Sequence, residues 1–223
     1  MEITLVNHDP EWKALFKAEA FEIKRALGKM CVVQSHIGST AVKGMLARPI
    51  IDILLVVEKL ALLEEKETAL FARGYEKEES TSPEMRNYRK SGELSYRIIA
   101  VEKTNQTEIA RRVALRNYLR AYPEKAKAFS DKKEELAKAA KDLEEYLCSR
   151  TDLIAELENE ALAWQQRQDR QINGLAFGLT VGVGIGVFFG IALSNLALGM
   201  GLGVCIGVAF GTVITFWDNN KPG

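Results

Sequence analysis

The spacing of apolar residues predicts a mixture of helices and strands in the first two thirds of the chain. After Pro10 they recur every three or four positions, which predicts a helix that runs to about Leu27. Two strands are predicted next, Cys31–Ile37 and Ile50–Val57. The second is apolar on both faces apart from Asp52, a pattern typical of a buried strand.

A hairpin and a series of helices accompany these strands. Ser91–Gly92 is a predicted turn between two strand-like runs, Met85–Lys90 and Leu94–Val101. The pattern is helical over four further stretches: Leu60–Ala72, Ile109–Ala121, Pro123 through Leu147, and Thr151 past Trp164. These elements predict an α/β (α+β) fold, in which helices flank a small mixed sheet and the C-terminal half is helical.

Two apolar segments of 22 residues each, Ile172–Leu193 and Leu196–Trp217, end the chain. As helices they are about 33 Å long, which matches a bilayer core of about 30 Å. Glycines recur every fourth residue in two series: 174, 178, 182, 186 and 190, then 199, 203, 207 and 211. Such stripes let helices pack closely in lipid. We expect a transmembrane helical hairpin, rather than a flexible linker or a hairpin buried in a soluble partner.

Flanking charges predict the orientation of this hairpin. Arg167 and Arg170 precede the first segment, Lys221 follows the second, and the turn between them is uncharged. The positive-inside rule then places the N-terminal domain and the C-terminus in the cytoplasm. Trp217 falls at the predicted membrane boundary. The glycine stripes also make a homo-oligomer in the membrane a candidate assembly.

Overall composition excludes several classes of protein. Lys plus Arg and Asp plus Glu both total 30, so the neutral chain has no global attraction for nucleic acid. The three cysteines, Cys31, Cys148 and Cys205, are far apart and form no metal-ligand pair, which is typical of a reducing compartment. Cys31 and Cys205 are expected to be small buried residues. The N-terminus lacks the pattern of a signal peptide.

The stretch His36–Asp52 carries the candidate chemistry. Small residues at Gly38 and Ser39, followed by a short helix-like segment, allow backbone N–H groups to approach a phosphate. Asp52 on the next strand would hold Mg²⁺ against the same phosphate. Asp52 would therefore be the catalytic and metal-binding residue, unless it forms a structural salt bridge, for which Arg48 is the nearest candidate.

Three motifs make the chain resemble the GrpB family of nucleotidyltransferase-like proteins over about Ile3 to Trp164. They are NHDPEW from Asn7, HIGSTAV with RPIIDI around the Gly-Ser loop, and RNYLRAYPEKAKAF from Arg116. The resemblance implies a nucleotidyltransferase-like domain over residues 1–168. The predicted hairpin, 172–217, lies beyond it. A nucleotide or another phosphate ligand, with Mg²⁺, and membrane lipid are the implied partners, and no nucleic acid is expected.

The chain departs from the family pattern at several site positions. Leu54 stands two residues after Asp52, where active members of the superfamily carry a second acid. Arg97 and Ile99 stand where relatives typically have a His-x-His arrangement, and Tyr122 where they often have histidine. These losses indicate weak or absent transferase activity.

The remaining candidates each have a structural alternative. His36 would contact phosphate or satisfy a buried carbonyl, and Ser39 would bind phosphate or cap a helix. Arg97 is the most notable phosphate candidate. Further basic candidates are Lys43, Arg48, Arg86, Arg89, Arg116 and Arg120, of which the last two, four residues apart, would equally form ion pairs. His8 is expected at the surface or in a cap.

Two functions remain open at this point. One is a membrane-anchored, nucleotidyltransferase-like protein that binds a phosphate ligand and has weak or no transferase activity. The other is a non-catalytic membrane-assembly or interaction module that retains only the fold. The intact Gly38–Ser39 loop and Asp52 favour ligand binding, whereas Leu54 and the missing histidines favour the module.

Overall fold

The computed structural model describes residues 4–80 and 82–219, the last three by backbone alone. It divides after Leu162 into two compact units. The five strands are β1 (Cys31–Ile37), β2 (Ile50–Val57), β3 (Glu76–Glu78), β4 (Met85–Lys90) and β5 (Ser95–Glu102). The seven α-helices of the described residues are α1 (Trp12–Leu27), α2 (Leu60–Glu64), α3 (Glu67–Phe71), α4 (Gln106–Ala121), α5 (Pro123–Ala139), α6 (Leu143–Ala192) and α7 (Leu196–Asn219).

The strands form one mixed sheet in the order β1-β2-β5-β4-β3. β2 and β5 are parallel neighbours, and every other pair is antiparallel. The predicted mixed sheet with flanking helices is therefore confirmed, as is the hairpin between β4 and β5. The parallel pair sets Asp52 opposite Arg97 and Leu54 opposite Ile99.

Each face of the central strand β2 belongs to a different hydrophobic cluster. Ile51, Ile53, Leu55 and Val57 pack with Trp12, Ile23 and Leu27 of α1. Leu54 and Val56 pack with residues of β1, β4 and β5 and with α4. Because side chains alternate along a strand, Asp52 shares the α4 side with Leu54.

The structure changes three of the helix predictions: one helix is split and two have a different boundary. The helix predicted over Leu60–Ala72 is two short helices, α2 and α3. The helix predicted from Pro123 through Leu147 is too long, because α5 ends at Ala139. The next helix, predicted from Thr151, begins earlier, because α6 starts at Leu143. The break is local, since Ala140 is extended and Asp142 Oδ1 accepts a hydrogen bond from Glu145 N at the start of α6. α6 then continues without a break into the apolar tail.

Helices α6 and α7 form the predicted apolar hairpin in the second unit. Asn195 Oδ1 accepts from Leu198 N and so caps α7, and Ser194 in the turn has a φ of 51°. Both helices are long and apolar enough to cross a membrane, each with a mean hydropathy of 2.1 in its apolar window. Cys205 on α7 is exposed, so its expected burial is wrong for the isolated chain. The side chain of Trp217 and all of Lys221 lie outside the described residues.

The two glycine stripes of the hairpin face each other. A Cβ at Gly178 or Gly182 would lie 2.6 Å from the Cα of Gly211 or Gly207 on the other helix. Gly184 and Gly201, which are outside the two series, have open space around them. Within one chain the stripes therefore serve the contact between α6 and α7, and a homo-oligomer through them stays a prediction.

Candidate functional site

The Gly38–Ser39 loop and the strand β2 meet at Asp52. Gly38 has a φ of 73°, a conformation that favours glycine, and a Cβ there would overlap Oδ2 of Asp52 and lie 3.2 Å from its Cγ. Only glycine therefore lets the loop approach the carboxylate. The predicted helix after the loop is a single 3₁₀ turn, Ser39–Ala41.

Four side chains of α4 and α5 hold the backbone of this loop. Arg116 donates to the carbonyl of His36 at 3.1 Å, and Arg120 donates to that of Ala41 at 2.7 and 2.9 Å. From α5, Ser130 accepts a hydrogen bond from the N–H of Leu46, and Lys133 donates one to the carbonyl oxygen of Leu46. Side chains of α4 and α5 therefore fix the backbone of the loop. Arg116 and Arg120 bind carbonyl oxygens, which differs from the ion pairs expected as their structural alternative.

Asp52 is ion-paired within the sheet. Arg97 Nε donates to its Oδ1 at 2.7 Å, and the Asp52 side chain is 15% exposed. The carboxylate raises the pKa of Arg97, which keeps the guanidinium charged. The nearby Arg48 is not its partner. Arg97 reaches Asp52 because the parallel register of β2 and β5 sets the two residues side by side.

Leu54 and Ile99 form the neighbouring cross-strand pair on the same face. Both are buried, and they pack in the cluster that includes Ile37 and Val101. Two of the unexpected residues, Leu54 and Ile99, therefore face each other, whereas a third, Arg97, faces the expected acid Asp52. One pair is ionic, Asp52 with Arg97, and the other is apolar.

A cavity of about 210 Å³ lies over Asp52 and the Gly38–Ser39 loop. Two carboxylates, Asp52 and Glu158, line it, together with four arginines: Arg97, Arg112, Arg116 and Arg150. Apolar side chains close the rest, namely Ile37, Ile99, Leu115, Leu119, Phe129 and Ile154. Arginine guanidinium groups recognise phosphate and carboxylate groups, so the lining favours an anion.

His36 lies on the other face of the sheet from Asp52. Its ring stacks on Phe16 of α1, with 4.8 Å between centroids. Thr40 Oγ1 donates its hydrogen to the carbonyl of Ile50, so it must accept from His36 Nε2, 3.0 Å away. Burial lowers the pKa of His36 to about 4, so the ring is neutral at pH 7. The structure therefore does not bring the His36 side chain into the cavity, whereas Gly38, Ser39, Asp52 and Arg97 all line it.

Lys133 is a buried lysine that the sequence analysis did not identify. Its side chain is 1% exposed, and Nζ donates to Ser39 Oγ at 3.0 Å. Burial, and then the charge of Arg150, lower its pKa to about 7. A signal was present, because Lys133 continues the helical spacing of the buried residues Ala126 and Phe129 on α5.

A second, smaller cavity of about 30 Å³ adjoins the same side chains. It shares Ser39, Asp52, Arg97 and Arg150 with the larger one, and its polar lining is completed by Thr40, Arg48, Lys133 and Tyr146. Burial lowers the pKa of Arg48, and the charges of Arg150 and Arg97 lower it further. Sequence reasoning missed Arg150, although it lies one helical turn from both Tyr146 and Ile154 on α6.

Several predicted residues lie away from these cavities. Arg86 pairs with Glu64 at 2.6 Å, and Arg89 lies 3.7 Å from Glu78. The ring of His8 meets Trp12 edge-on, and burial lowers its pKa. Lys43 is exposed, and Tyr122 packs on Tyr118 with 4.9 Å between ring centroids.

The donor groups do not favour the expected Mg²⁺ site. In the part of the chain that the structure describes, no group of three or more His, Cys, Asp or Glu side chains could hold a metal. Asp52 already binds Arg97, and Glu158 lies 3.4 Å from Arg111. Mg²⁺ requires oxygen ligands, whereas arginines dominate this cavity.

Comparison with known proteins supports the resemblance stated above. A family model described as "GrpB protein" matches residues 2–160, and one described as "Glycine zipper membrane protein" matches residues 168–215. The UPF0157 protein YqkA of Bacillus subtilis is 27% identical over 167 residues. That match covers 74% of this chain, which spans about half (49%) of YqkA.

A solved structure covers the same part of the chain. The crystal structure of the conserved protein GrpB from Enterococcus faecalis aligns with a TM-score of 0.69 at 31% identity. It covers 73% of this chain and 99% of the other. A cytoplasmic RNA terminal U-transferase aligns over 60% of this chain and 41% of its own, at 15% identity and a TM-score of 0.43, which is too distant to bear on activity.

Proposed function

The chain belongs to the GrpB family, and we propose that its N-terminal domain binds a nucleotide or another phosphate ligand at the membrane surface, with weak or no transferase activity. The observation that carries the proposal is the cavity beside the Gly38–Ser39 loop, whose polar lining includes four arginines. Guanidinium groups and a fixed loop that opens at a glycine are suited to phosphate oxygens.

Weak or absent nucleotidyl transfer follows from the pair of residues next to Asp52 on the same face of the sheet. Nucleotidyl transfer by two metal ions uses more than one carboxylate to place both metals. Here the adjacent cross-strand pair is Leu54 with Ile99, and both side chains are buried in a hydrophobic cluster. This pair supplies no ligand atoms, so the proposal assigns the domain to binding rather than to catalysis.

The membrane part of the proposal rests on the glycine-rich hairpin. Its apolar windows are long enough to span a bilayer, and most of their residues are exposed, unlike those of a core helix. Arg167 and Arg170 precede the first segment, which favours a cytoplasmic N-terminal domain. Membrane lipid is thus the proposed partner of the tail.

A direct test measures ligand binding by the full chain in detergent micelles. Calorimetric titration with ATP and with inorganic pyrophosphate should show saturable binding at one site per chain. The Arg116→Met variant should weaken it, although loss of the bond to His36 also loosens the loop. Absence of binding for both ligands would leave the alternative, a membrane-assembly module that retains only the fold.

A further inference from the structure

The charges at the two cavities do not balance. Arg97 is neutralised by Asp52, and Arg112 by Glu108 at 3.0 Å. Among the described residues, neither Arg116 nor Arg150 has a carboxylate within 4.0 Å, and Lys133 makes its two bonds to Ser39 and Leu46. Lys133 is buried and the two arginines are half-buried, and a cation that loses hydration without a counter-ion is costly. The site therefore has a surplus of positive charge that an anion with more than one negative charge would neutralise.

Unsatisfied donors lie at the same place. Within residues 4–80 and 82–219, the buried Nε atoms of Arg112 and Arg150 and the hydroxyl of Tyr146 have no hydrogen-bond partner. Tyr146 is fully buried, and Arg150 lies over its ring with 5.8 Å from Cζ to the centroid. Buried polar atoms are nearly always paired in folded proteins. Arg112, Arg150 and Tyr146 line the two cavities, so an acceptor bound there would satisfy these donors.

Asp52 leaves most of Arg97 free for such an acceptor. It accepts from Nε, and no described residue accepts from the two Nη groups of Arg97. The carboxylate therefore fixes the guanidinium in the sheet and leaves its fork open to the cavity. Asp52 is a positioning residue in this arrangement.

We propose that the site binds its phosphate ligand without a divalent metal: Arg150 supplies the positive charge that Mg²⁺ would otherwise supply, and the free Nη groups of Arg97 donate to the phosphate oxygens. This inference rests on the proposed phosphate binding and specifies its chemistry. The ligand class is a phosphate compound with at least two negative charges in its metal-free form, such as a nucleoside triphosphate or pyrophosphate. Guanidinium groups bind the oxygens directly, so no metal has to join the carboxylate to the phosphate.

The experiment titrates the full chain in detergent micelles with ATP and with pyrophosphate, once in excess EDTA and once in excess Mg²⁺. The expected result is binding in EDTA that is equal to or tighter than in Mg²⁺, because Mg²⁺ reduces the charge of the free ligand. Binding that requires Mg²⁺ would overturn the inference and leave the proposed function standing. Absence of binding in both solutions would overturn both.

Three variants sharpen the test. Arg150→Met should weaken binding in EDTA about tenfold or more, whereas Arg86→Met, whose arginine pairs with Glu64 outside the two cavities, should not change it. Asp52→Asn keeps an acceptor for Arg97 and removes one negative charge, so affinity in EDTA should hold or rise. A tenfold loss for Asp52→Asn in Mg²⁺ but not in EDTA, with unchanged thermal unfolding, would indicate a metal ligand and contradict the inference.

Discussion

Arg97 Nε lies 2.7 Å from Asp52 Oδ1, and the two residues are register partners on the parallel strands β2 and β5. The next pair on the same face, Leu54 with Ile99, is apolar. The unexpected Leu54 therefore lies beside the unexpected Ile99, whereas Arg97 lies beside the expected acid Asp52. On this face the two strands therefore present one ion pair and one hydrophobic contact.

Gly38→Ala should destabilise the fold more than Gly44→Ala. Both glycines have positive φ, at 73° and 79°, so both variants lose about 1–2 kcal/mol to backbone strain. Only at Gly38 would the new Cβ overlap Asp52, since nothing lies within 4 Å of the equivalent position at Gly44. Urea unfolding of the full chain in detergent measures the difference. An equal loss of unfolding free energy in the two variants would show that Asp52 can move away from a Cβ at position 38 at little cost.

The buried Lys133 should make stability depend on pH. Its pKa is about 7 in the folded chain and near 10.5 when unfolded. Between these values the unfolded chain binds more protons, so the free energy of unfolding should rise with pH by at most about 1.4 kcal/mol per unit. Urea unfolding at pH 7, 8 and 9 should show a shallower slope for Lys133→Met than for the exposed control Lys132→Met. The same slope in both would contradict a shifted lysine.

Substitution in the glycine stripes should disturb the hairpin. Leucine at Gly182 or Gly203 meets the backbone of the facing helix, whereas leucine at Gly184 or Gly201 enters open space. Thermal unfolding followed by circular dichroism in micelles should therefore show a lower midpoint for the first two variants only. All four should remain in the membrane fraction, because the apolar length is unchanged. A lower midpoint in all four would argue against stripe-to-stripe packing.

Membrane orientation can be read from two cysteines. Cys148 is exposed in the N-terminal domain, and a Ser194→Cys variant places a thiol in the turn of the hairpin. With Cys205 replaced by serine, a membrane-impermeant maleimide should label position 194 in intact cells and Cys148 only after permeabilisation. Labelling of Cys148 in intact cells would reverse the predicted orientation.

The elements near the site could be predicted because their signals are local. The apolar run Ile50–Val57 with its single acid, the Gly38–Ser39 pair, and the charge-free tail each depend on neighbours a few residues apart. They identified the strand β2, the loop beside Asp52 and the apolar hairpin. The sequence places the break between α5 and α6 too late because Asp142 caps α6 without a glycine or proline beside it, within a strongly helical sequence.

The partners within the site were decided by tertiary structure. Arg48 is four residues from Asp52 and Arg97 is 45, yet Arg97 forms the bond because the parallel register of β2 and β5 sets it alongside. Lys133 reaches Ser39 across 94 positions, through the packing of α5 on the loop. Sequence patterns report which residues are buried and in what element. Which charges meet depends on strand register and helix packing, and these are settled only when the whole core assembles.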